Sequence, residues 1–413
     1  MLALVMVATF ARLAIAAPDG AGAPGEHAEQ PRNEAGPTGE GAGDPRDGEA
    51  PTGEGSAAPR DGEGRTGEGA GGPRDGAGDL HVDQGAVTPS VSVGRRAAAV
   101  AVAIFPGILV RGAGSWIVGE HRAAKRLAAT GAIGFAALVA GILPIRVGGS
   151  SPYTIWPGVP IVVSGTGLFM SSWLGDIWAA AGGARWATTP VAVPPWSVEV
   201  ATTWQHDAYR ERALLHAAGH LELGRLGLDG AGYIDARNAF RLGEARARWR
   251  LWGAAATGRA GAAGSGVVVR ATARLERDDP DRVTLATAEA DLLGRLALDW
   301  LDPALRGSFL ELSAGGGMSR TGYPEGRHDT EAILVAGFAW GAYLGDRGEL
   351  RLYYDHRRNG LAGGLAASHA AGFLGSFGAS TELRVRGPWA VHGELQIGDA
   401  WVTTLGLRYL GGR

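Results

Sequence analysis

Ala245-Arg-Ala-Arg-Trp-Arg-Leu251 and Val269-Arg-Ala-Thr-Ala-Arg-Leu-Glu276 alternate small or apolar residues with charged ones at a period of two. On a helix that spacing would scatter the arginines around the cylinder. On a strand it puts every arginine on one face and Ala, Trp and Leu on the other. The same alternation recurs from Trp196 to the end of the chain. Val198, Val200, Thr202 and Trp204 oppose Glu199, Ala201, Thr203 and Gln205. Ala286 to Leu292, continuing to Leu298 and Trp300, opposes Thr287, Glu289, Asp291, Arg295 and Asp299. Leu350, Leu352 and Tyr354 oppose Glu349, Arg351 and Asp355, and comparable runs cover Phe377–Arg386 and Val391–Ile397.

A soluble sandwich also alternates, but its apolar face is built from large, closely packed side chains. Here the apolar face is thin, rich in Ala and Gly, and tipped with Trp, Tyr and Phe near strand ends. That is the pattern of a lipid-facing band between aromatic girdles. Eleven strand runs are clear, and bacterial barrels have even numbers. Counting the ambiguous stretch Leu226 to Phe240 as a strand makes twelve, with ten as the alternative. The expected fold is therefore an all-β transmembrane barrel of about 12 antiparallel strands over 196–413. Its interior would carry Arg246, Arg248, Arg250, Arg270, Arg274, Glu276, Glu289, Asp291 and Arg295. Buried charges without partners are costly, so these are expected to pair across a filled or constricted lumen. Short turns at 346–348 and 387–388 alternate with longer stretches at 319–330 and 359–371, as periplasmic turns alternate with external loops.

The final strand Trp401, Thr403, Leu405, Leu407 and Tyr409, with Thr404 and Gly406, resembles the C-terminal assembly signal of outer-membrane β-barrels, although Leu410-Gly-Gly-Arg413 follows where a terminal aromatic is usual. The C-terminal half thus resembles the bacterial outer-membrane β-barrel proteins, including the twelve-stranded barrels of autotransporters. The resemblance implies an outer-membrane location and handling by the outer-membrane assembly machinery, with membrane lipids as the other partner.

Upstream, the chain has three different textures. Residues 1–17 read as a signal peptide, with an apolar run and the small residues Ala14-Ile-Ala16 before Pro18; Arg12 inside that run leaves an uncleaved anchor open. Residues 18–90 are Gly, Pro, Glu, Asp, Arg and Ala, with too little apolar surface to offset conformational entropy, and are expected to be disordered. Pro-Arg recurs there at Pro31, Pro45, Pro59 and Pro73, a 14-residue period. Such a segment reads as a neutral expanded repeat, with a spacer or a weak binder of envelope polymers as the functional alternative. Residues 91–185 are rich in Ala, Gly, Val, Ile, Leu and Trp. Leu127–Ile145, behind the basic cluster His121, Arg122, Lys125 and Arg126, and Ile155–Trp178 each approach the roughly 20 residues of a membrane helix. Pro157 and Pro160 are expected to interrupt the second. The pair reads as an α-helical membrane hairpin, closing through Gly131, Gly134, Ala137 and Gly141. Phe105-Pro-Gly107, Arg111-Gly-Ala-Gly114 and Gly119-Glu120 precede it and resemble the Pro-Gly-x-Gly turn opening small two-helix membrane hairpins in bacterial envelope proteins. Arg111 and Glu120 are expected as helix-end charges at the interface.

Composition excludes much else. There is no cysteine, and the net charge of -3 suggests no nucleic acid. His216 and His220, with Glu222, would form half a zinc site on a helix; on a strand they stand roughly 13 Å apart, too far to share an ion. Ser308, Ser313, Ser368, Ser376 and Ser380 form no nucleophile motif with His206, His356, His369 or His392. No metal, cofactor or enzymatic activity is expected. Three readings remain open: a structural or porin-like transport barrel with a charged lumen, an inner-membrane-anchored protein with a periplasmic β domain, and a membrane-embedded lipid-modifying enzyme.

Overall fold

The computed structural model describes residues 91–149, 151–186, 194–208, 210–237, 239–253, 264–280, 282–345, 347–357, 360–363 and 375–412. All belong to one compact unit. The signal peptide and the repeat segment lie outside the described residues.

Alternation at period two produces twelve strands: β1 (Trp196–His206), β2 (Glu211–Leu223), β3 (Leu226–Asp235), β4 (Phe240–Gly253), β5 (Gly266–Asp278), β6 (Val283–Ala297), β7 (Ser308–Gly322), β8 (His328–Tyr343), β9 (Gly348–Asp355), β10 (Ser376–Arg386), β11 (Trp389–Ile397) and β12 (Trp401–Gly411). Each pairs antiparallel with its sequence neighbours, and β1 closes on β12 from Trp196↔Gly411 to His206↔Trp401. The stretch Leu226 to Phe240 does supply the twelfth strand, β3. Closure leaves no unpaired edge, as a strand structure in lipid requires.

The burial pattern is inverted relative to a soluble protein. On β1, Val198 and Val200 are 51% and 62% exposed, whereas Glu199 and Thr203 are 3% and 0% exposed. At the end holding both barrel termini, exposed Trp196, Trp249, Trp252, Trp300 and Trp389 form a girdle, with Tyr409 between Trp196 and Trp389; Trp204 and Trp401 stand at the other end. Trp196 and Trp204 are separated by roughly 26 Å of strand, or roughly 20 Å of height at a tilt of about 40°.

Two expectations about the connections fail. Alternation ends at Ala297, because Leu298–Trp300 and Pro303–Leu305 are 3-10 turns, with Asp302 capping the second through Ala304 N at 3.1 Å. The Ser319–Thr330 stretch is mostly strand: β7 and β8 extend to Gly322 and His328. Polar side chains there suggested a loop, but the hairpin ladder continues past the apolar band.

The N-terminal region folds as α1 (Val93–Ile104), α2 (Ala113–Val118), α3 (His121–Gly148) and α4 (Pro152–Ala181), with a 3-10 turn at Pro106–Ile108. The glycine-rich turn is a packed joint. Gly112 takes φ +83°, and buried Asp176 of α4 accepts from Gly114 N (3.1 Å), Ser115 N (2.7 Å) and Ser115 Oγ (2.6 Å). Arg111 is not an interfacial charge. It is buried over the Phe169 ring at 3.9 Å and donates to the Gly107 carbonyl at 2.7 Å. Glu120 is exposed beside the start of α3.

α3 and α4 cross through glycine. A Cβ on Gly134 would stand 2.8 Å from Gly165 O, and one on Gly165 would stand 2.7 Å from Gly134 O. Gly141 and Gly158 meet in the same way, at 2.9 and 3.1 Å from each other's carbonyl oxygens. Pro157 and Pro160 do not interrupt α4, which runs continuously through both. Both lie in its first third, and a helix packed against neighbours tolerates the missing amide donors.

α4 lies against the outer wall of the barrel, over β7, β8 and β9. Val159 and Val163 pack with Ala336, Phe338 and Tyr354, and Trp178 and Ala179 with Leu310, Trp340 and Ala342. A Cβ on Gly167 would press 2.9 Å from Leu312 Cδ2. From Val335 to Tyr343 β8 is therefore buried on both faces, losing the alternating exposure seen on β1.

Candidate functional site

The inward face of the barrel is the candidate site, a wall of charge around a cavity of about 630 Å³. All nine residues singled out from the sequence stand at inward register positions, and each has an ionic partner. Arg270 grips Asp291, its direct partner on the next strand, through Nε (2.6 Å) and Nη2 (2.7 Å). Arg248 bonds Asp229 of β3 at 2.8 Å, Arg246 bonds Glu244 at 2.8 Å, and Arg250 bonds Glu222 of β2. Arg274 pairs with Glu276 at 2.8 Å, Glu289 with Arg357 at 3.3 Å, and Arg295 with Glu311 at 2.7 Å and Glu349 at 3.5 Å.

The expectation that these charges pair across the lumen is corrected. Most pairs run around the wall, within a strand, between adjacent strands or between strands separated by one, while Glu289–Arg357 and Arg295–Glu349 reach past both β7 and β8. In three pairs that skip one strand, glycine or alanine occupies the intervening inward position. His392 of β11 reaches Glu199 of β1 at 2.8 Å past Gly406 of β12, where a Cβ would lie 2.9 Å from Glu199 Oε1. Tyr353 of β9 reaches Glu394 of β11 past Gly378. Arg351 of β9 reaches Glu311 of β7 past Ala339. The physical reason is reach: neighbouring strands lie about 4.8 Å apart, so a long side chain spans one small residue more easily than the diameter of a twelve-stranded barrel.

Glu199, Glu311, Arg357 and Arg408 belong to this wall but were not singled out. Arg408 bonds both Glu199 and Glu382, while Arg357 sits just beyond β9 and bonds Asp355 as well as Glu289. Glycine at inward positions was the available signal, since it marks where charges must meet over a bare backbone.

His216 and His220 lie on β2, so the helical half-site does not form. His216 stacks on Tyr233 at 4.2 Å, and His220 Nδ1 lies 2.9 Å from Asp229. Among the described residues no group of three or more His, Asp or Glu has metal-binding geometry. Ser308 donates to the Leu305 carbonyl at 2.7 Å, while His392 is engaged by Glu199, so these two do not meet. Ser368 and His369 lie outside the described residues.

Leu361, in the connection from β9 to β10, packs with Leu214 of β2, Phe240 and Leu242 of β4, and Tyr233 of β3. These strands stand about half the circumference away from β9 and β10 in the strand order, so the described residues 360–363 reach toward the opposite wall. Gln205 Nε2 donates to the Leu361 carbonyl at 3.0 Å, and Ala362 is buried with Ala400 and Val402.

The fold is the architecture of outer-membrane β-barrels. No protein-family model matches the chain, and no curated protein is significantly similar to it. Solved structures that it is similar to include the KdgM porin (7% identity, 52% of this chain and 99% of that one, TM-score 0.32). Others are the outer membrane protein Omp33 of Acinetobacter baumannii (8%, 53% and 99%, 0.28) and the translocator domain of the autotransporter NalP from Neisseria meningitidis (11%, 52% and 88%, 0.29).

Proposed function

We propose that the protein is an outer-membrane barrel with a porin-like role, conducting small polar solutes through a charged lumen constricted at one mouth. The observation that carries this is the lateral pairing of the wall: because the charges neutralise one another along the wall, the axis is left to a polar cavity. A water-soluble periplasmic domain would not present Val198, Val200, Leu405 and Leu407 outward while burying Glu199, so the inner-membrane-anchored reading is disfavoured. The arginines and carboxylates are engaged with one another, which suits a conduit better than catalysis, and we take the protein to be non-enzymatic. Lipids would contact the outer band, and the outer-membrane assembly machinery would receive β12. The suggested contact with envelope polymers falls on the repeats, outside the described residues.

The full-length protein, refolded from urea into detergent micelles and inserted into a planar lipid bilayer, should give small, discrete conductance steps. It should also migrate as a heat-modifiable, strand-rich species. A heat-modifiable protein that never conducts and never admits small sugars into liposomes would reject the transport role and leave a structural barrel.

A further inference from the structure

We infer that the α3–α4 hairpin crosses the same bilayer as the barrel, so that α3 replaces β7–β9 as the lipid-facing surface of that sector. This rests on the reading of the barrel as membrane-spanning.

The first observation is what α4 covers. Ala336, Phe338, Trp340 and Ala342 are the outward residues of β8, equivalent to the exposed Leu405 and Leu407 of β12, yet they are nearly fully buried beneath α4. The lipid face of the barrel has therefore moved outward by a helical layer. The second is what α3 presents in exchange. Ile133, Phe135, Val139, Ile142 and Leu143 are 37–62% exposed on the side away from the barrel, a continuous apolar surface in place of the one hidden.

The third observation is height. At the terminus end, Arg126 of α3 lies 3.9 Å from Asp302 and Trp178 Nε1 donates to Arg306 O at 3.1 Å, placing that end of the hairpin at the β6–β7 connection. Trp116, 53% exposed and in tilted ring contact with His121 at 4.5 Å, stands there with Arg122 and Lys125, as aromatic and basic anchors stand at a lipid headgroup layer. At the other end, Trp156 packs on Gly316 of β7, where a Cβ would lie 2.9 Å from its ring. The outward residues of β7 stay apolar to Met318 and turn polar at Arg320, roughly 13 Å further along the strand, or roughly 10 Å in height. Ser151, where α4 begins, is roughly 7.5 Å beyond Trp156. Hairpin turn and barrel band thus end at similar levels. Between them, Arg126 to Val147 covers roughly 32 Å of helix, enough for a hydrocarbon core of about 30 Å.

Because the chain has no cysteine, single thiols report position without background. Full-length F135C, I142C, L405C and R327C are spin-labelled, refolded in dimyristoylphosphatidylcholine vesicles and checked for heat-modifiability. Collision with oxygen is then compared with collision with a water-soluble nickel chelate. Labels at 135 and 142 should match the oxygen-to-nickel ratio at 405, roughly tenfold above that at 327, the contrast between acyl chain and water. Nickel access at 135 and 142 equal to that at 327, with 405 still in lipid, would overturn the inference and leave the barrel standing. Low access to both reagents would mean that protein covers α3, and would overturn it equally. Water-like access at 405 would reject the spanning barrel and the hairpin with it. A W156C/G316C pair linked by a short bis-maleimide in the same vesicles should cross-link; absence of the product in heat-modifiable protein would also count against the inference.

Discussion

Replacing Leu361 with Ser should open the constricted mouth without unfolding the barrel. Leu361 is half-buried among Leu214, Phe240, Leu242 and Tyr233 and lies outside the strand ladder. Burying a leucine contributes about 1.5–3 kcal/mol, and partial exposure favours the lower figure. With about 1.36 kcal/mol per factor of ten, losing about 1.5 kcal/mol raises the ratio of released to seated connection roughly tenfold. The second tether is the Gln205 amide on the Leu361 carbonyl, a neutral hydrogen bond of about 1 kcal/mol, or roughly fivefold. The double variant L361S/Q205L should therefore approach a fiftyfold shift if the tethers act independently, and less if seating one requires the other. Single-channel recording in planar bilayers reads this as the fraction of time in the larger conductance state, with heat-modifiability confirming an intact barrel. Unchanged dwell times in both variants would refute the seating argument, because they would mean that the connection does not limit passage.

Removing one partner of the Arg270–Asp291 pair with D291A should lower stability by about 2–3 kcal/mol, below the 3–5 of a fully buried pair because Arg270 keeps some lumen exposure. E325A, which breaks the exposed Glu325–Arg327 pair, should leave the urea midpoint of the heat-modifiable form unchanged. G165L should force α3 from α4, since even a Cβ would lie 2.7 Å from Gly134 O; the W156C/G316C cross-link would report whether α4 keeps its seat. Changing Ala132, Ala136, Ala137 and Ala140 together to Leu should make α3 a stop-transfer segment. The variant should then shift from outer- to inner-membrane fractions on a sucrose gradient, and native protein found in the inner-membrane fraction would reject the outer-membrane reading.

Strand number and closure were legible because a period of two is a local property. Glu199 and Val200 declare opposite faces whatever lies next to them. The partners of the charged residues were not legible. Arg248 could be assigned to the lumen from its own strand, but its choice of Asp229 depends on the β3–β4 register, and β3 was the weakest strand in the sequence. The joint around Asp176 was missed for a similar reason: an aspartate 61 residues from Ser115 has no local signature. The glycines did carry a signal, read correctly for the hairpin at Gly134 and Gly141 and left unread at Gly378 and Gly406, where the same need for close approach operates inside the barrel.

The two helices divide the demands of the membrane between them, which bears on how helix and barrel can share one exported chain. α4 carries Ser164, Thr166, Ser171, Ser172 and Asp176 as well as Pro157 and Pro160 in its interior, and would be a poor membrane helix alone. Its hidden faces meet α3, the α1–α2 joint and the wall of β7–β9, so it needs little apolar surface of its own. α3 must face lipid, but does so with many Ala and Gly residues, which contribute little transfer free energy per residue. Neither helix is therefore expected to reach its full membrane stability before it docks. The surface that would hold α4 comes from Leu310, Phe338, Trp340 and Tyr354, all synthesised more than a hundred residues later and brought together only when β7, β8 and β9 pair. The seat of α4 therefore exists only once β7, β8 and β9 have paired, so the hairpin is expected to reach its docked position after the strands close, against the order of the sequence.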